Sequence, residues 1–459
     1  MQSREAILHD RLSTLLFRMS VPGVLSMLVI SLNSFVDAVY AGRLIGQDAL
    51  AGVSLCIPLM VINSAVTGFI SSGASNVLSR AVGSGNTGVT QQIFAYVLIY
   101  SVVVSLVLGT AGYFLAESAL KLIGAEHGVL KEGAAYYRWM MTGCFTSIFG
   151  LACSSLLRAE GQMKLSMRMT IAGVICNIIL NPILIYYCNW GVKGAALATV
   201  LSMAVYSLGI LKFLNSNRSS VKLDLRQIKL DKEVLKEITE IGSSAMVMQA
   251  SSFVRQLVLF KMVTLYSDRF EEAFFSAVFR IYSFSLIPVF GILQALQPVI
   301  GINFGAGKYE RSMEALKIFR LSCCLVMLLV LIPVQVFPKQ MLSLILPNSD
   351  FTHDDLFHFR LMMGILIIAP VSSTGIVFLQ ATGNGKISAS LALGRETLLF
   401  IPLLLSAPHF LGKQGIYLGL FTENVLYMLI VLFVVRRQMI KIKLRNNHAK
   451  LETSNPLLN

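Results

Sequence analysis

A single acidic residue interrupts the first long apolar segment of the chain. Asp37 lies in the stretch LNSFVDAVYAG at residues 32–42, and no other Asp or Glu occurs between Leu15 and Val39. Placing a carboxylate at such a depth in a membrane costs about 2.5–3.5 kcal/mol on insertion scales. Asp37 therefore indicates either a compensating partner or a functional role.

Three apolar segments each carry a pair of candidate groups four residues apart, and this spacing places both members of a pair on one helix face. The pairs are Asn33 with Asp37, Asn177 with Asn181, and Ala195 with Thr199. Polar groups at membrane depth face the interior of a bundle and pair with one another. The carboxylate, the amide and hydroxyl oxygens and a backbone carbonyl form a set of oxygen ligands that suits Na⁺. Hydrogen bonds from the same groups could equally hold a protonated Asp37, so we predict a coupling site for Na⁺ or H⁺.

A structural interpretation of these residues is also open. Asn177 and Asn181 could join neighbouring helices by hydrogen bonds without binding an ion. Asp37 would then only cap a kink. Pro182, directly after Asn181, could loosen the fifth span and expose carbonyl groups for that role. We favour the ion site, because ionisable groups at this depth usually serve a function.

The composition indicates which kind of element holds these groups. Of the 459 residues, 55% are hydrophobic and 14% are charged, and the mean hydropathy is +0.71. Such a chain is too apolar for a soluble protein of this length and is typical of an all-α polytopic membrane protein. The seven cysteines show no metal spacing, and we expect no disulfide framework. No small-residue cleavage site follows the first apolar segment, so we expect that segment to be retained.

Runs long enough to cross a bilayer, about 20 residues each, recur twelve times. They lie near 14–41, 50–80, 89–117, 133–157, 165–188, 193–214, 235–266, 272–302, 310–336, 355–381, 386–407 and 412–435. We predict an N-lobe at 1–214, a cytoplasmic linker at 215–234, a C-lobe at 235–440 and a cytoplasmic tail at 441–459. Asp231 is a candidate N-cap for an amphipathic helix that leads into the seventh run.

The distribution of charge predicts the orientation. With a cytoplasmic N-terminus, 25 of the 38 Lys and Arg residues fall on the inside and 9 fall in outside loops. This bias follows the positive-inside rule, so we expect both termini in the cytoplasm and the protein in the plasma membrane. Anionic lipid, and not nucleic acid, accounts for the net charge of +14.

Two motifs recur at a single offset of 222 residues. AVGSGNTGVTQQ at 81–92 matches NFGAGKYERSME at 303–314, and LRAEGQMKLS at 157–166 matches LQATGNGKIS at 379–388. Each repeat holds six spans, an even number, so both halves keep the same orientation. We therefore predict two six-helix bundles related by a pseudo-two-fold axis along the membrane normal, with substrate between them.

The second half carries more charge within its spans, which we interpret mainly as structural charge pairs without assigning partners. These residues are Arg255, Lys261, Arg280, Arg395, Glu396 and Glu423. At the repeat offset Asp37 corresponds to Leu259, so the ion site is not duplicated. Adaptable methionines and polar groups suit a promiscuous substrate cavity. The candidates for its lining are Asn33, Tyr40, Met60, Met203, Met248, Arg255 and Arg280.

Several other activities lack their motifs. FGAGKYE has neither the spacing nor the Ser/Thr of a G-x-x-x-x-G-K-[ST] loop, so ATP is not the evident driver. Neither H-E-x-x-H nor G-x-S-x-G occurs to support a hydrolase. We therefore expect a transporter and not an enzyme, with no cofactor other than a coupling ion.

Several segments together carry a family resemblance. They are MSVPGVLSMLVISLNSFVDAVYAGRLIGQDALAGVSL at 19–55, LSRAVGSGN, LRAEGQMK, NIILNPILIY and LIPVFGILQALQPVIGINFGAGK at 286–308. These segments resemble the multidrug and toxic compound extrusion (MATE) family, and the last is similar to the MepA-like members of its DinF branch. The resemblance covers nearly the whole chain and implies antiport, in which a hydrophobic cation leaves as Na⁺ or H⁺ enters.

The resemblance also implies the residues of an N-lobe ion site. The family's aspartate on the first helix is matched by Asp37, and its asparagine on the fifth helix by Asn177. An Asp or Asn one turn later is matched by Asn181, which removes one titratable group from the Asn-plus-Asp version. A threonine and a carbonyl on the sixth helix are matched by Thr199 and Ala195. Members of the family's NorM branch carry carboxylates at mid-membrane depth in the C-lobe. Spans seven and ten of this chain lack them, so we predict no cation site in the C-lobe.

We expect a secondary-active multidrug exporter that exchanges amphipathic, cationic small molecules for Na⁺ or H⁺ by alternating access. It would act as a monomer, with drug, coupling ion and membrane lipid as its partners. One alternative is a flippase for lipid-linked oligosaccharides of the same superfamily, which a cationic furrow containing Arg255 and Arg280 would favour. Another is a non-transporting receptor or channel, against which the repeat and the lone N-lobe acid argue.

Overall fold

The computed structural model describes residues 2–216, 219, 231–347 and 349–454, and every regular element within them is helical. The helices of the first half are α1 (Gln2–His9), α2 (Leu12–Tyr40), α3 (Gln47–Leu55), α4 (Ile57–Ser84), α5 (Thr87–Leu122), α6 (His127–Thr142), α7 (Cys144–Ala159), α8 (Met163–Pro182) and α9 (Gly191–Leu214). Those of the second half are α10 (Lys232–Tyr266), α11 (Arg269–Ser285), α12 (Ile287–Gly305), α13 (Tyr309–Val336), α14 (Pro338–Ser343), α15 (His353–Ala381), α16 (Gly385–Gly394), α17 (Ile401–Leu411) and α18 (Lys413–Ser454). Short π-helical turns extend three of them, at Ala41–Ile45, Ile183–Tyr187 and Arg395–Phe400.

Each of the twelve predicted spans coincides with one helix or with two helices in tandem. By length and composition, ten elements of the described residues can cross a membrane, and α6 with α7, bent by 56°, form an eleventh. α10 has the length of a span, at 35 residues, but is not among these by composition. The predicted all-α membrane architecture is confirmed.

The helix ends refine the predicted division of the chain. The side chain of Asp231 accepts a hydrogen bond from the backbone N–H of Glu233, so the predicted N-cap of α10 is confirmed. α10 then runs without a break into the seventh span. At the other end of the second half, α18 continues to Ser454, past the predicted start of the tail at 441. Most of the predicted linker lies outside the described residues.

The two halves repeat one another at the predicted offset. α5 begins at residue 87 and α13 at residue 309, which are 222 positions apart. Matching turns contain glycines in the same left-handed conformation, with φ values of 74° at both Gly85 and Gly307, 81° at Gly161 and 83° at Gly383. A residue with a Cβ would be strained at these positions. The repeat inferred from two motifs is therefore present in the backbone.

The two lobes meet at one end of the molecule through α2, α4, α10 and α12. A Cβ added to Gly83 would lie 2.1 Å from the carbonyl oxygen of Ile302, and one added to Gly305 would lie 2.1 Å from that of Arg80. Gly305 is the repeat counterpart of Gly83, and Ile302 that of Arg80, so the contact is reciprocal about the pseudo-two-fold axis. At the other end, α3 and α6 of the first lobe and α11 of the second pack mainly within their own lobes.

Replacing Gly305 by valine is expected to push the lobes apart at this end, because no side chain fits against the backbone of α4. The matched control is Gly68→Val on α4, where nothing lies within 4 Å of an added Cβ. Spin labels at the exposed residues Thr87 and Glu310, one on each lobe, report the separation by pulsed electron resonance. We expect a longer or broader distance distribution for Gly305→Val alone. An unchanged distribution would contradict the backbone contact.

Candidate functional site

Asp37, on α2, accepts hydrogen bonds from two helices. Asn181 Nδ2 donates to its Oδ1 at 2.8 Å, and Asn33 Nδ2 donates to its Oδ2 at 3.0 Å. The residue is half-buried, and among the described residues no Lys or Arg forms an ion pair with it. Both of its donors are neutral amides, so a proton or a cation would be needed to neutralise the carboxylate.

The hydrogen bonds continue from Asp37 through α8 to α9. Asn181 Nδ2 also donates to Asn177 Oδ1 at 2.9 Å, and Asn177 Nδ2 donates to Thr199 Oγ1 at 3.3 Å. The hydroxyl of Thr199 donates to the carbonyl of Ala195 at 3.2 Å. Asn177 and Asn181 are each 2% exposed, as expected for one inward face. The structure thus brings together all five residues predicted for the ion site, and their coupling role stays a prediction.

One buried oxygen beside Asp37 has no partner. Asn33 Oδ1 forms no hydrogen bond with any residue that the structure describes, although the nitrogen of the same amide donates to the carboxylate. Leaving a buried acceptor unsatisfied costs about 1–3 kcal/mol, and a proton donor or a small hard cation would satisfy it. No cluster of three or more His, Cys, Asp or Glu residues forms a transition-metal site in the described part of the chain. Carboxylate, amide, hydroxyl and carbonyl oxygens are hard ligands of the kind that suit Na⁺, and the coupling ion stays a prediction.

Irregular turns follow the site on both of its main helices. α2 passes into the π-helical turn Ala41–Ile45 four residues after Asp37, and α8 passes into Ile183–Tyr187 directly after Pro182. Such turns occur often at functional sites, and Pro182 removes a backbone donor from α8. The regular α-helical hydrogen-bonding pattern of α8 thus ends at Pro182, beside Asn181, and that of α2 ends at Tyr40, three residues after Asp37.

The buried charges of the second lobe pair with one another. Glu423, whose side chain is 1% exposed, accepts from Arg255 Nη1 and Nη2 at 3.0 and 3.1 Å and from Arg395 Nε at 2.7 Å. Glu396 accepts from Arg255 Nε at 3.1 Å. The amide of Asn424 accepts from Arg395 Nη2 and donates to Glu423, both at 2.9 Å. Two cations and two anions balance, which supports the structural interpretation of these residues.

Each of the two paired guanidinium groups stacks over an aromatic ring. Arg255 Cζ lies 4.1 Å from the centroid of the Phe400 ring, and Arg395 Cζ lies 4.4 Å from that of Tyr427. Arg280 and Lys261 are exposed, apart from this network. Arg280 is not among the described residues lining the cavity that Arg255 and Arg395 border, and the flippase alternative stays an untested prediction. Leu259, the repeat counterpart of Asp37, is a buried apolar residue.

The residues predicted to line one substrate cavity lie at separate places. Asn33 and Tyr40 belong to the surroundings of Asp37, and the Tyr40 hydroxyl donates to a backbone carbonyl of α8 at 3.5 Å. Met60 packs with a small apolar cluster of the first lobe, and Met203 packs against the main core. Arg255 borders a cavity of about 430 Å³ inside the second lobe.

Met248, by contrast, lines a cavity of about 390 Å³ between the lobes, which we call the junction cavity. Among its polar lining residues are Ser72, Ser75 and Arg158 on the first lobe and Gln294, Gln297 and Gln380 on the second. These six residues form three pairs of repeat counterparts, and the members of each pair are 222 positions apart. Arg158 and Gln380 occupy the same position of the repeated motif at 157–166 and 379–388, so the sequence already contained a signal for this pair.

A second arginine joins the lobes beside this cavity. Arg80 Nη2 donates to Glu237 Oε1 at 2.5 Å, and Nη1 donates to the backbone carbonyl of Ala381 at 3.1 Å. Arg80 is one of the 25 basic residues that the sequence places on the cytoplasmic side. Its repeat counterpart is the apolar Ile302, so no pattern in the sequence marked the contact.

Comparison with known proteins decides the family. A profile described as MatE matches residues 22–183 and 244–404, which is more than half of the chain. The chain belongs to the MATE family. Each matched segment of this MATE protein falls in one lobe, in agreement with the repeat.

The MATE chain is 24% identical over 416 residues to Multidrug export protein MepA of Staphylococcus aureus strain MSSA476, covering 91% of this chain and 92% of the relative. It is 23% identical over 416 residues to MepA of Staphylococcus saprophyticus, with the same coverage. A solved structure described as MATE in the bent conformation superposes with a TM-score of 0.92 at 24% identity, covering 97% of this chain and 99% of that one. Another solved structure is described as the outward-facing conformation of a multidrug resistance MATE family transporter. It superposes with a TM-score of 0.86 at 24% identity, covering 96% of this chain and 99% of that one. The predicted family and fold are confirmed.

Proposed function

We propose that this MATE protein is a secondary-active multidrug exporter that exchanges amphipathic, cationic small molecules for Na⁺ or H⁺. The observation that carries the proposal is Asp37, a carboxylate within a membrane span whose hydrogen-bond donors among the described residues are both neutral amides. Relatives named multidrug export proteins support drug-like substrates. Two lobes that meet at one end support alternating access.

In the proposed cycle, Asp37 alternates between an ionised state and a neutralised state. Asn33 and Asn181 donate to the ionised carboxylate. In the neutralised state Asp37 takes up a proton, or shares Na⁺ with the oxygens of Asn33, Asn177 and Thr199. A cation that binds one conformation tenfold more tightly shifts the balance by about 1.4 kcal/mol. Hydrogen bonds at the site link α2 to α8 and α8 to α9. Neutralising the Asp37 carboxylate therefore changes the contacts between α2 and α8, the two helices that π-helical turns follow.

We further propose that the lobes meet at the cytoplasmic end of a plasma-membrane monomer, with both termini on that side. The excess of Lys and Arg in the segments at this end supports the orientation. A molecule closed at the cytoplasmic end is outward-facing, so its substrate would leave from this conformation and the coupling ion would enter the site.

Purified protein in liposomes tests the exchange when a Na⁺ gradient and a proton gradient are each imposed alone. We expect at least one of the two gradients to drive transport of ethidium, an amphipathic cation, because the neutralising ion binds only one state well. Liposomes without a gradient are the control. Equal ethidium movement with and without both gradients would reject ion-coupled exchange.

A further inference from the structure

The junction cavity holds a guanidinium group without a carboxylate partner. Arg158, near the end of α7, borders the cavity, and its Nη1 donates to two serine hydroxyls at 2.8 and 3.4 Å. In the part of the chain that the structure describes, no ion pair involves Arg158. A buried cation that neutral groups alone solvate is costly, and an anion would compensate it.

The repeat shows that this charge is not offset across the cavity. Arg158 lies opposite the neutral amide of Gln380, its counterpart at the offset of 222. The other counterparts on the polar wall are neutral on both sides, and among the described lining residues there is no Asp or Glu. The charge of the cavity wall is therefore positive, which favours an anionic ligand over a cationic one.

Further donors on the wall lack strong acceptors. Gln294 Nε2 donates to the sulfur of Met27 at 3.1 Å, and Gln380 Nε2 donates to the sulfur of Met248 at 3.4 Å. A thioether is a weak acceptor. The hydroxyl of Ser71, another lining residue, is buried and has no hydrogen-bond partner within the described ranges. A ligand rich in acceptor oxygens would satisfy these groups.

We propose that the junction cavity binds the carboxylate of an amphipathic small molecule, with Arg158 as its counter-ion. A volume of about 390 Å³ suits a small organic ligand. Phe290 and Leu293 offer apolar contacts to the remainder of the molecule, and the thioethers of Met27 and Met248 adapt to its shape. The inference rests on the proposed export function and extends its substrates from cations to carboxylates.

Three probes that differ only in the head group test this site: 4-phenylbutyrate, its neutral amide 4-phenylbutanamide, and 4-phenylbutylamine. Binding to the full-length protein is measured by calorimetry in nanodiscs of neutral lipid, with empty nanodiscs subtracted and no ion gradient. We expect the carboxylate to bind about tenfold more tightly than the amide, because charge-assisted hydrogen bonds are stronger. The amine should bind most weakly.

Arg158→Gln should abolish the preference for the carboxylate, and Arg158→Lys should retain part of it. Arg138→Gln is the matched control, because Arg138 pairs with Glu117 away from the junction cavity. Should Arg158→Gln not fold, Ser71→Ala and Gln294→Leu should each weaken carboxylate binding about threefold.

Equal affinity of the wild-type protein for the carboxylate and the amide would overturn the proposal, as would a preference that survives Arg158→Gln. The assay uses no gradient, so a failure of ion-coupled exchange leaves this result interpretable. Conversely, the absence of carboxylate binding leaves gradient-driven cation export standing.

Discussion

Asp37→Asn is expected to abolish gradient-driven export while the protein still folds. The amide preserves the size of the side chain and much of its hydrogen bonding with Asn33 and Asn181 but removes the charge that a proton or Na⁺ neutralises. The charge costs about 2.5–3.5 kcal/mol on insertion and is not a source of stability, so the amount of protein in the membrane should not fall. Ethidium transport by proteoliposomes of equal protein content, under each gradient alone, measures the effect. Ethidium binding without a gradient should survive in part.

Graded variants separate the carboxylate from its neighbours. Asn181→Ala and Thr199→Ala should weaken the ion response less, since each removes one neutral group of several. Asn63→Ala is a matched control, because Asn63 is another polar residue of the first lobe, and its side-chain amide donates to the sulfurs of Met60 and Met141 and not to Asp37. Wild-type transport by Asp37→Asn under either gradient would place the coupling site elsewhere.

Glu423→Gln is expected to destabilise the protein more than any other single change in the second lobe. The variant leaves the buried Arg255 and Arg395 with one remaining acid, Glu396, and breaking a buried pair costs about 3–5 kcal/mol. Thermal unfolding in detergent and the yield of folded protein measure the loss. The ion dependence of the surviving protein should not change, because the network is electrically balanced and separate from Asp37.

An exposed pair provides the control for Glu423. Glu117 and Arg138 form a salt bridge with side chains 50% and 36% exposed, and such pairs contribute about 0–1 kcal/mol. Glu117→Gln should therefore leave the unfolding temperature nearly unchanged. If Glu423→Gln is as stable as Glu117→Gln but alters the ion response, the second lobe takes part in coupling.

The spans, the repeat and the set of residues around Asp37 could be predicted because their signals are local. A spacing of four residues places Asn177 beside Asn181 on any regular helix, and an apolar run of sufficient length indicates a span wherever it occurs. The paired glycines required left-handed turns at matching positions, so two short motifs were sufficient to indicate the repeat. The resemblance to the MATE family supplied the match between helices that are distant in the sequence.

The remaining contacts depend on how the helices rotate and how the lobes meet, which local patterns do not determine. Arg80 and Arg158 were counted only as inside charges, yet both lie at the junction between the lobes. The partners of Arg255 could not be assigned because Glu423 is 168 positions away. The substrate-cavity prediction grouped Met60, Met203 and Met248 by chemistry alone, and the packing separates them.

Ion movement driven by substrate tests exchange at Asp37 most directly. Liposomes that contain the purified protein are given an ethidium gradient and no ion gradient, and the movement of radioactive Na⁺ and of protons is recorded. We predict that one of these ions moves in the direction opposite to ethidium with the wild-type protein and that neither moves with Asp37→Asn. Ethidium transport by the wild-type protein without any ion movement, or ion movement that persists in Asp37→Asn, would contradict the account.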